Sequence, residues 1–183
     1  GSALKAASVA EFVPIINAGD GIGEHPTQAL LDLYTVRDHK GELSNVRGLM
    51  AGDLLNGRTI HSLIRGLSFY PRNEVYLLSP EKLRLSSQDF KDFEKRGITL
   101  YNINSMDEVP KDLDFWYWTR VQKERFQNEE GYLEVNNRFI VDQRILDRYA
   151  SQDTILMHPL PRVGEIKEEN KVPTPFSFYS LLE

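Results

Sequence analysis

The stretch VRGLMAGDLLNGRTIHSLIRGLSFY, residues 46–70, decides the fold of this chain. Its first six residues form a short apolar run of the kind that builds a buried strand. A glycine-containing turn follows, and from residue 59 to residue 70 the apolar side chains recur at helical spacing, with Ile60, Leu63, Ile64 and Leu67 facing inward. A strand, a turn and a helix in this order form the repeating unit of α/β proteins.

The same alternation continues on both sides of this unit. Further strands are predicted over residues 12–18, 74–78, 98–103, 114–118 and 154–157, and further helices over residues 26–40, 86–96 and 141–150. Strands that alternate with helices favour right-handed crossovers between parallel strands. We therefore predict an α/β fold: a doubly wound, mostly parallel sheet flanked by helices, in the Rossmann-like arrangement.

The chain is expected to divide into two unequal parts. Residues 1–40 contain the end of a helix over residues 3–11, the predicted strand 12–18 and the helix that links it to the rest, which is too little for a domain. We expect this part to be the edge of a domain whose remainder is absent, and residues 41–183 to form the main α/β domain.

Composition excludes several classes of function. The formal charge of −5 over 183 residues argues against a nucleic-acid partner, which calls for a basic face. The chain has no cysteine, so disulfides, thiolate nucleophiles and cysteine-based zinc sites are excluded. No apolar stretch reaches the roughly 18 residues that cross a membrane, and we expect a cytoplasmic protein with no membrane partner.

Four polar motifs each follow an apolar run that is a predicted strand. They are GDGIGEHPTQ (residues 19–28), GDLLNGRT (52–59), TRVQKER (119–125) and HPLPR (158–162). The carboxyl ends of strands in an open α/β sheet line one crevice, where distant residues converge. Arginine binds carboxylates and phosphates with two parallel hydrogen bonds, so the arginines in these motifs predict a site for an anionic ligand.

Residue types in the motifs suggest specific roles. His25 and Gln28 share a face at a helix start, where an imidazole donor could polarise a carbonyl oxygen; the alternative is that His25 simply caps its own helix. Arg58 is expected to project from a helix N-terminus toward the crevice, whereas His61 is expected to pack. In an extended segment Arg120 and Gln122 lie on one side, and could hold a carboxylate.

Two prolines stiffen the last motif. Pro159 and Pro161 fix the backbone, and such a loop can present carbonyl oxygens to an amine. A rigid connector without further function is the alternative, and one of the two X–Pro bonds could be cis.

Taken together and in this order, the motifs resemble those of aspartate carbamoyltransferases. The resemblance runs from about residue 14 to residue 166 and implies transfer of a carbamoyl group from carbamoyl phosphate to L-aspartate, early in pyrimidine synthesis. It implies that His25, Gln28, Pro159 and Leu160 bind carbamoyl phosphate. His25 would polarise the carbonyl oxygen of the carbamoyl group, and Pro159 and Leu160 would offer backbone carbonyls to the attacking nitrogen. It also implies that Arg58, Arg120, Gln122 and Leu160 bind aspartate, with His25 and Arg58 catalytic, and that the site needs no metal or other cofactor.

The chain also departs from the family pattern. The family usually has lysine where Leu55 stands and aspartate where Gly164 stands, and its phosphate-binding segment lies upstream of anything present here. We therefore expect a shortened chain with little activity by itself, which lacks most of the domain through which the family forms homotrimers. A non-catalytic paralogue or interaction module of the same fold is the alternative.

Overall fold

The computed structural model describes residues 2–19, 23–121 and 139–167. Within these ranges five parallel strands form one sheet, in the order β3-β2-β1-β4-β5. The strands are β1 (Arg47–Ala51), β2 (Glu74–Leu78), β3 (Thr99–Ile103), β4 (Phe115–Trp118) and β5 (Ile155–Met157). The chain moves outward in one direction from β1 to β3 and then returns to the other side of β1 for β4. This reversal opens a crevice at the carboxyl ends of β1 and β4.

Five helices accompany the sheet in the described part of the chain: α1 (Ser2–Val9), α2 (Pro26–Lys40), α3 (Arg58–Leu67), α4 (Ser87–Glu94) and α5 (Gln143–Tyr149). Short 3-10 turns cover Glu81–Leu83 and Met106–Glu108. Local sequence explains the helix ends. Pro26 opens α2, and Gly41 closes it in the left-handed conformation with φ 87°. The side chains of Ser86 and Asp142 accept hydrogen bonds from the first turns of α4 and α5.

Both faces of the sheet are covered, which confirms the doubly wound arrangement. Side chains alternate along β4, so Phe115 and Tyr117 enter the core beneath α2, α3 and α4, while Trp116 and Trp118 enter the core beneath α5. The four inward residues predicted for α3, Ile60, Leu63, Ile64 and Leu67, are all completely buried.

The prediction of a buried strand over residues 12–18 is wrong. This segment has no regular secondary structure, and its apolar side chains face outward, with Phe12 93% and Ile16 81% exposed. In the described part of the chain, no strand lies beside it to pair with its backbone, and Pro14 lacks a hydrogen-bond donor. Because no neighbouring strand among the described residues is available to it, this apolar run does not form a buried strand.

Among the residues that the structure describes, no helix combines the length and apolar character needed to span a membrane.

Candidate functional site

The segments that carry three of the predicted motifs leave the sheet at the same edge. Strands β1, β4 and β5 are neighbours, and their last residues are in register: Ala51 lies beside Trp118, and Tyr117 lies beside Met157. The chain then continues from β1 toward Arg58, from β4 into Arg120 and from β5 into the 158–162 loop. The structure therefore brings the described residues of these three motifs to one rim, as the sequence predicted.

A close backbone contact fixes the first two segments against each other. The backbone N–H of Thr119 donates to the carbonyl oxygen of Ala51 at 2.9 Å. Gly52 has a φ of 118°, and a β-carbon added there would lie 2.3 Å from the carbonyl oxygen of Thr119. The approach therefore requires glycine at position 52, and it fixes where the Arg120 segment leaves the sheet relative to the turn that leads to Arg58.

His25 and Arg58 lie against the same glycine. A β-carbon added to Gly19 would be 3.4 Å from Nη1 of Arg58 and 3.8 Å from Cδ2 of His25. His25 immediately precedes α2 and Arg58 is the first residue of α3, so their proximity depends on how these two helices pack against each other. The structure brings together the two residues that were predicted to be catalytic.

The environment of His25 favours a neutral imidazole. Burial lowers its pKa below 6.5, and the positive charge of Arg58 lowers it further, while a backbone hydrogen bond acts in the opposite direction. The backbone N–H of Gln28 donates to Nδ1 of His25 at 3.4 Å, a long hydrogen bond that caps α2. With Nδ1 as an acceptor, the proton of the neutral ring resides on Nε2, which can donate to a ligand. The capping role and the donor role are thus compatible.

A hydrogen-bond network that the sequence does not predict holds His25 in place. The backbone N–H of His25 donates to Oγ of Ser62 at 3.0 Å, and the Ser62 hydroxyl donates to Glu24. Arg65 completes the network through a 2.7 Å contact between Nη2 and Oε1 of Glu24. Ser62 and Arg65 lie on α3, so this network ties the start of α2 to the helix that carries Arg58. The only sequence signal was the position of Ser62 between Ile60 and Leu63, two residues that the helical spacing turns inward; its burial appears only in the structure.

The effect of Arg58 on His25 can be measured directly. A pH titration of the His25 ring signals by NMR is expected to give a pKa below 6.5, and Arg58→Ala should raise that pKa part of the way back. The recovery is partial because burial, the larger cause, remains. Arg96→Ala, at an exposed position, serves as the control and should leave the His25 pKa unchanged. An identical His25 pKa in wild type and Arg58→Ala would show that the two side chains do not interact.

The 158–162 loop is held by a buried pair of side chains. The backbone N–H of Leu160 donates to Nδ1 of His158 at 2.9 Å, and Nε2 of His158 lies 2.6 Å from Oε1 of Glu165. The other carboxylate oxygen of Glu165 accepts from the backbone N–H of Val163 at 2.9 Å. Leu160 itself is partly exposed, adopts a positive φ of 54° and precedes a cis peptide bond to Pro161. Glu165 was not predicted, because nothing in its local sequence marks it as a partner of His158.

Glu165 keeps its negative charge despite its burial. Desolvation raises its pKa, but the hydrogen bond from His158 and those from backbone N–H groups outweigh that effect, and the net pKa is lowered. The carboxylate therefore holds the loop as an anion.

The remaining predicted residues have varied outcomes. Gln28 is half-buried at the start of α2, and its amide contacts Asp32. Arg120 is also half-buried, and Gln122 lies outside the described residues. His61 packs as predicted: its ring meets Phe93 edge-on at 6.2 Å between ring centroids, and its Nε2 lies 2.8 Å from a backbone oxygen.

The two positions that depart from the family pattern differ in their surroundings. Leu55 is 38% exposed in the turn between β1 and α3. Gly164 has a φ of 105°, and no atom lies within 4 Å of a β-carbon added there. A side chain at position 164 would therefore meet backbone strain but no steric obstacle.

Family models match nearly the whole chain. Residues 44–172 match the aspartate/ornithine carbamoyltransferase Asp/Orn-binding domain, and residues 2–38 match the carbamoyl-phosphate-binding domain of the same family.

Individual relatives agree with these matches. The catalytic subunit of aspartate carbamoyltransferase from Methanobrevibacter smithii is 43% identical over 154 residues, which are 84% of this chain and 48% of that protein. The corresponding subunit from Clostridium kluyveri is 42% identical over 177 residues, which are 96% of this chain and 58% of that protein. The chain thus spans about half the length of the curated relatives it matches.

Solved structures of such proteins are similar throughout the chain. The catalytic subunit of M. jannaschii aspartate transcarbamoylase aligns with a TM-score of 0.89 and 38% identity, over 100% of this chain and 58% of that one. Aspartate transcarbamoylase from Trypanosoma cruzi, solved with N-(phosphonacetyl)-L-aspartic acid, aligns with a TM-score of 0.80 and 33% identity, over 98% and 56% of the two chains.

Proposed function

Because this chain belongs to the aspartate/ornithine carbamoyltransferase family, we propose that it is the aspartate-binding part of an aspartate carbamoyltransferase. The reaction would transfer the carbamoyl group of carbamoyl phosphate to the amine of L-aspartate, giving N-carbamoyl-L-aspartate and phosphate. The observation that carries the proposal is the placement of His25 and Arg58 against Gly19, near the rim where Arg120 and Leu160 leave the sheet.

Each site residue has a proposed role that its chemistry supports. The neutral imidazole of His25 donates from Nε2 to the carbamoyl oxygen and stabilises the negative charge that develops there. Gln28 contacts the carbamoyl nitrogen. The backbone carbonyls of Pro159 and Leu160 accept hydrogen bonds from the carbamoyl nitrogen and from the attacking amine of aspartate. Positioning two substrates side by side can supply roughly 7–11 kcal/mol of the barrier reduction without a covalent intermediate.

The two arginines favour aspartate over ornithine as the second substrate. Arg58 and Arg120, with Gln122, would bind the two carboxylates of a dicarboxylic amino acid, whereas the side-chain ammonium of ornithine would be repelled. The 158–162 loop carries proline rather than cysteine after His158, which also separates it from the ornithine enzymes.

The wider context follows from the same proposal. Residues 1–40 would belong to the carbamoyl-phosphate domain and residues 41–183 to the aspartate domain, a division supported by the two family matches. L-Aspartate and carbamoyl phosphate would be the small-molecule partners, the whole protein would form homotrimers, and it would act in the cytoplasm.

Calorimetric titration of the full 183-residue chain tests the proposal. L-Aspartate and succinate are expected to bind and L-ornithine is not. Arg120→Ala should weaken succinate binding by about 10- to 150-fold, because a charge-assisted hydrogen bond contributes about 1.5–3 kcal/mol. Arg96→Ala, which removes an exposed arginine in the turn between α4 and β3, is the matched control and should bind like wild type. Preference for ornithine, or equal binding by Arg120→Ala and wild type, would overturn the assignment.

A further inference from the structure

A carboxylate is completely buried on α2, one turn after Gln28. Asp32 has no exposed surface, although its neighbours Leu33 and Val36 belong to the apolar core. Its Oδ1 accepts from Nε2 of Gln28 at 2.9 Å, and its Oδ2 accepts from the hydroxyl of Tyr117 at 2.8 Å. Burying a carboxylate is costly, so an apolar residue at this position would serve packing better. The arrangement therefore calls for a role beyond packing.

The chemistry of the carboxylate sets the orientation of the Gln28 amide. Both oxygens of Asp32 act as acceptors, one for Gln28 and one for Tyr117, so the group of Gln28 that faces the carboxyl group is the NH₂ donor. The carbonyl oxygen Oε1 of Gln28 is then directed away from Asp32. Tyr117, which is also completely buried, donates to the second carboxylate oxygen and restrains the rotation of the carboxylate.

We infer that Asp32, held by Tyr117, is a positioning residue that fixes the Gln28 amide so that Oε1 accepts a hydrogen bond from the ligand. A site oriented in this way selects a carbamoyl group, whose terminal NH₂ can donate to Oε1, over an acetyl group of the same shape, which bears a methyl group there. The identity of this ligand rests on the proposed function, whereas the orientation of Gln28 does not.

The chain contains matched pairs that serve as internal controls. Gln88 donates to Asp92 at 2.8 Å and Gln143 donates to Asp147 at 2.7 Å, with the same four-residue spacing on a helix. Both of these pairs are exposed, and such pairs make only a small local contribution to a helix. The Gln28–Asp32 pair differs from them in its burial and in the second donor supplied by the sheet.

Hydrogen exchange of side-chain amides in the full chain, followed by NMR, tests the orientation. The NH₂ group of Gln28 is expected to exchange about tenfold more slowly than that of Gln88. Asp32→Asn, which can both donate and accept, should remove this protection, while Asp92→Asn should leave it intact. Equal exchange of Gln28 and Gln88 in the wild-type chain, or unchanged protection of Gln28 in a folded Asp32→Asn variant, would overturn the inference.

A second variant covers the case in which Asp32→Asn does not fold. Tyr117→Phe removes only the hydroxyl that restrains the carboxylate, and it should accelerate Gln28 exchange while the circular dichroism spectrum stays that of the wild type. A folded Tyr117→Phe variant with wild-type exchange at Gln28 would contradict the role given to Tyr117.

Ligand selection is measured separately. Calorimetric titrations with N-carbamoyl-L-aspartate and with N-acetyl-L-aspartate are expected to favour the carbamoyl compound by about tenfold in wild type and Asp92→Asn, and by much less in Asp32→Asn. Both compounds carry the two carboxylates that Arg58 and Arg120 would bind, so neither depends on the phosphate-binding segment upstream. Loss of Gln28 protection in Asp32→Asn without loss of this selectivity would overturn the selective role. If neither compound binds while Gln28 is protected as described, the proposed function and the ligand selection are wrong, and the orientation of Gln28 stands.

Discussion

Replacing Glu165 with alanine is expected to destabilise the chain by about 3–5 kcal/mol at pH 7. The substitution leaves Nε2 of His158 and the backbone N–H of Val163 without their acceptor, and His158 and Glu165 are both only 2% exposed. Urea denaturation measures the free energy of unfolding. Because His158 also accepts from Leu160, the 158–162 loop should lose its fixed conformation in this variant.

A matched control separates the effect of burial on the unfolding free energy from the effect of the number of hydrogen bonds. Glu108 also accepts two backbone N–H groups, from Asn104 and Ser105, but at an exposed site. Glu108→Ala should therefore cost only about 1 kcal/mol, as expected for the loss of a surface cap. Equal losses of unfolding free energy in Glu108→Ala and Glu165→Ala would show that the burial of the His158–Glu165 pair adds nothing to its contribution to stability.

The contribution of Glu165 to the unfolding free energy should also depend on pH, and it should decrease on acidification. Its pKa in the folded chain is lower than the 4.5 of an unperturbed glutamate, which stands for the unfolded chain. The stabilisation is therefore fully present above the unfolded pKa and is lost as the pH falls through the folded pKa. The difference in unfolding free energy between wild type and Glu165→Ala should shrink below about pH 4. A difference that grows on acidification would contradict the anionic state of Glu165.

Gly52→Ala is expected to destabilise the chain by about 3 kcal/mol or more, through a steric clash added to backbone strain. The added β-carbon would lie 2.3 Å from the carbonyl oxygen of Thr119, and φ is 118°. Gly41→Ala is the control, because Gly41 also has a positive φ, 87°, but nothing lies within 4 Å of its added β-carbon. That variant should lose only about 1 kcal/mol, the cost of the left-handed conformation.

Thermal and urea unfolding of both glycine variants would test how tightly the ends of β1 and β4 are joined. Equal destabilisation of Gly41→Ala and Gly52→Ala would mean that the backbone at the Gly52–Thr119 contact can move apart at little cost in free energy. In that case it could not fix Arg120 relative to the turn that leads to Arg58.

The order of strands and helices could be predicted because each element carries its own local signal. Strand β2 begins and ends where its apolar run predicts, and Ser86 and Asp142 mark the starts of α4 and α5 within the chain itself. The apolar run at residues 12–18 misled the prediction, because periodicity and composition cannot show whether a neighbouring strand is available to pair with it.

The side chains that support the site were harder to predict than those that face the ligand. Arg58 and Arg120 stand out as charged residues in the polar motifs that follow apolar runs. Asp32, Tyr117 and Glu165 instead act through partners that are distant in sequence, such as Asp32 and Tyr117, which are separated by 85 positions. Such pairs appear only when the fold brings their elements together, so the sequence of either element contains no signal for them.

Succinate titration of the chain labelled with ¹⁵N at arginine tests most directly whether Arg58 and Arg120 serve one anion site. We predict that the side-chain Nε signals of Arg58 and Arg120 both shift, with the same dissociation constant, while that of Arg96 does not move. A shift confined to one of the two arginines, or two shifts with different dissociation constants, would contradict a single site formed by both.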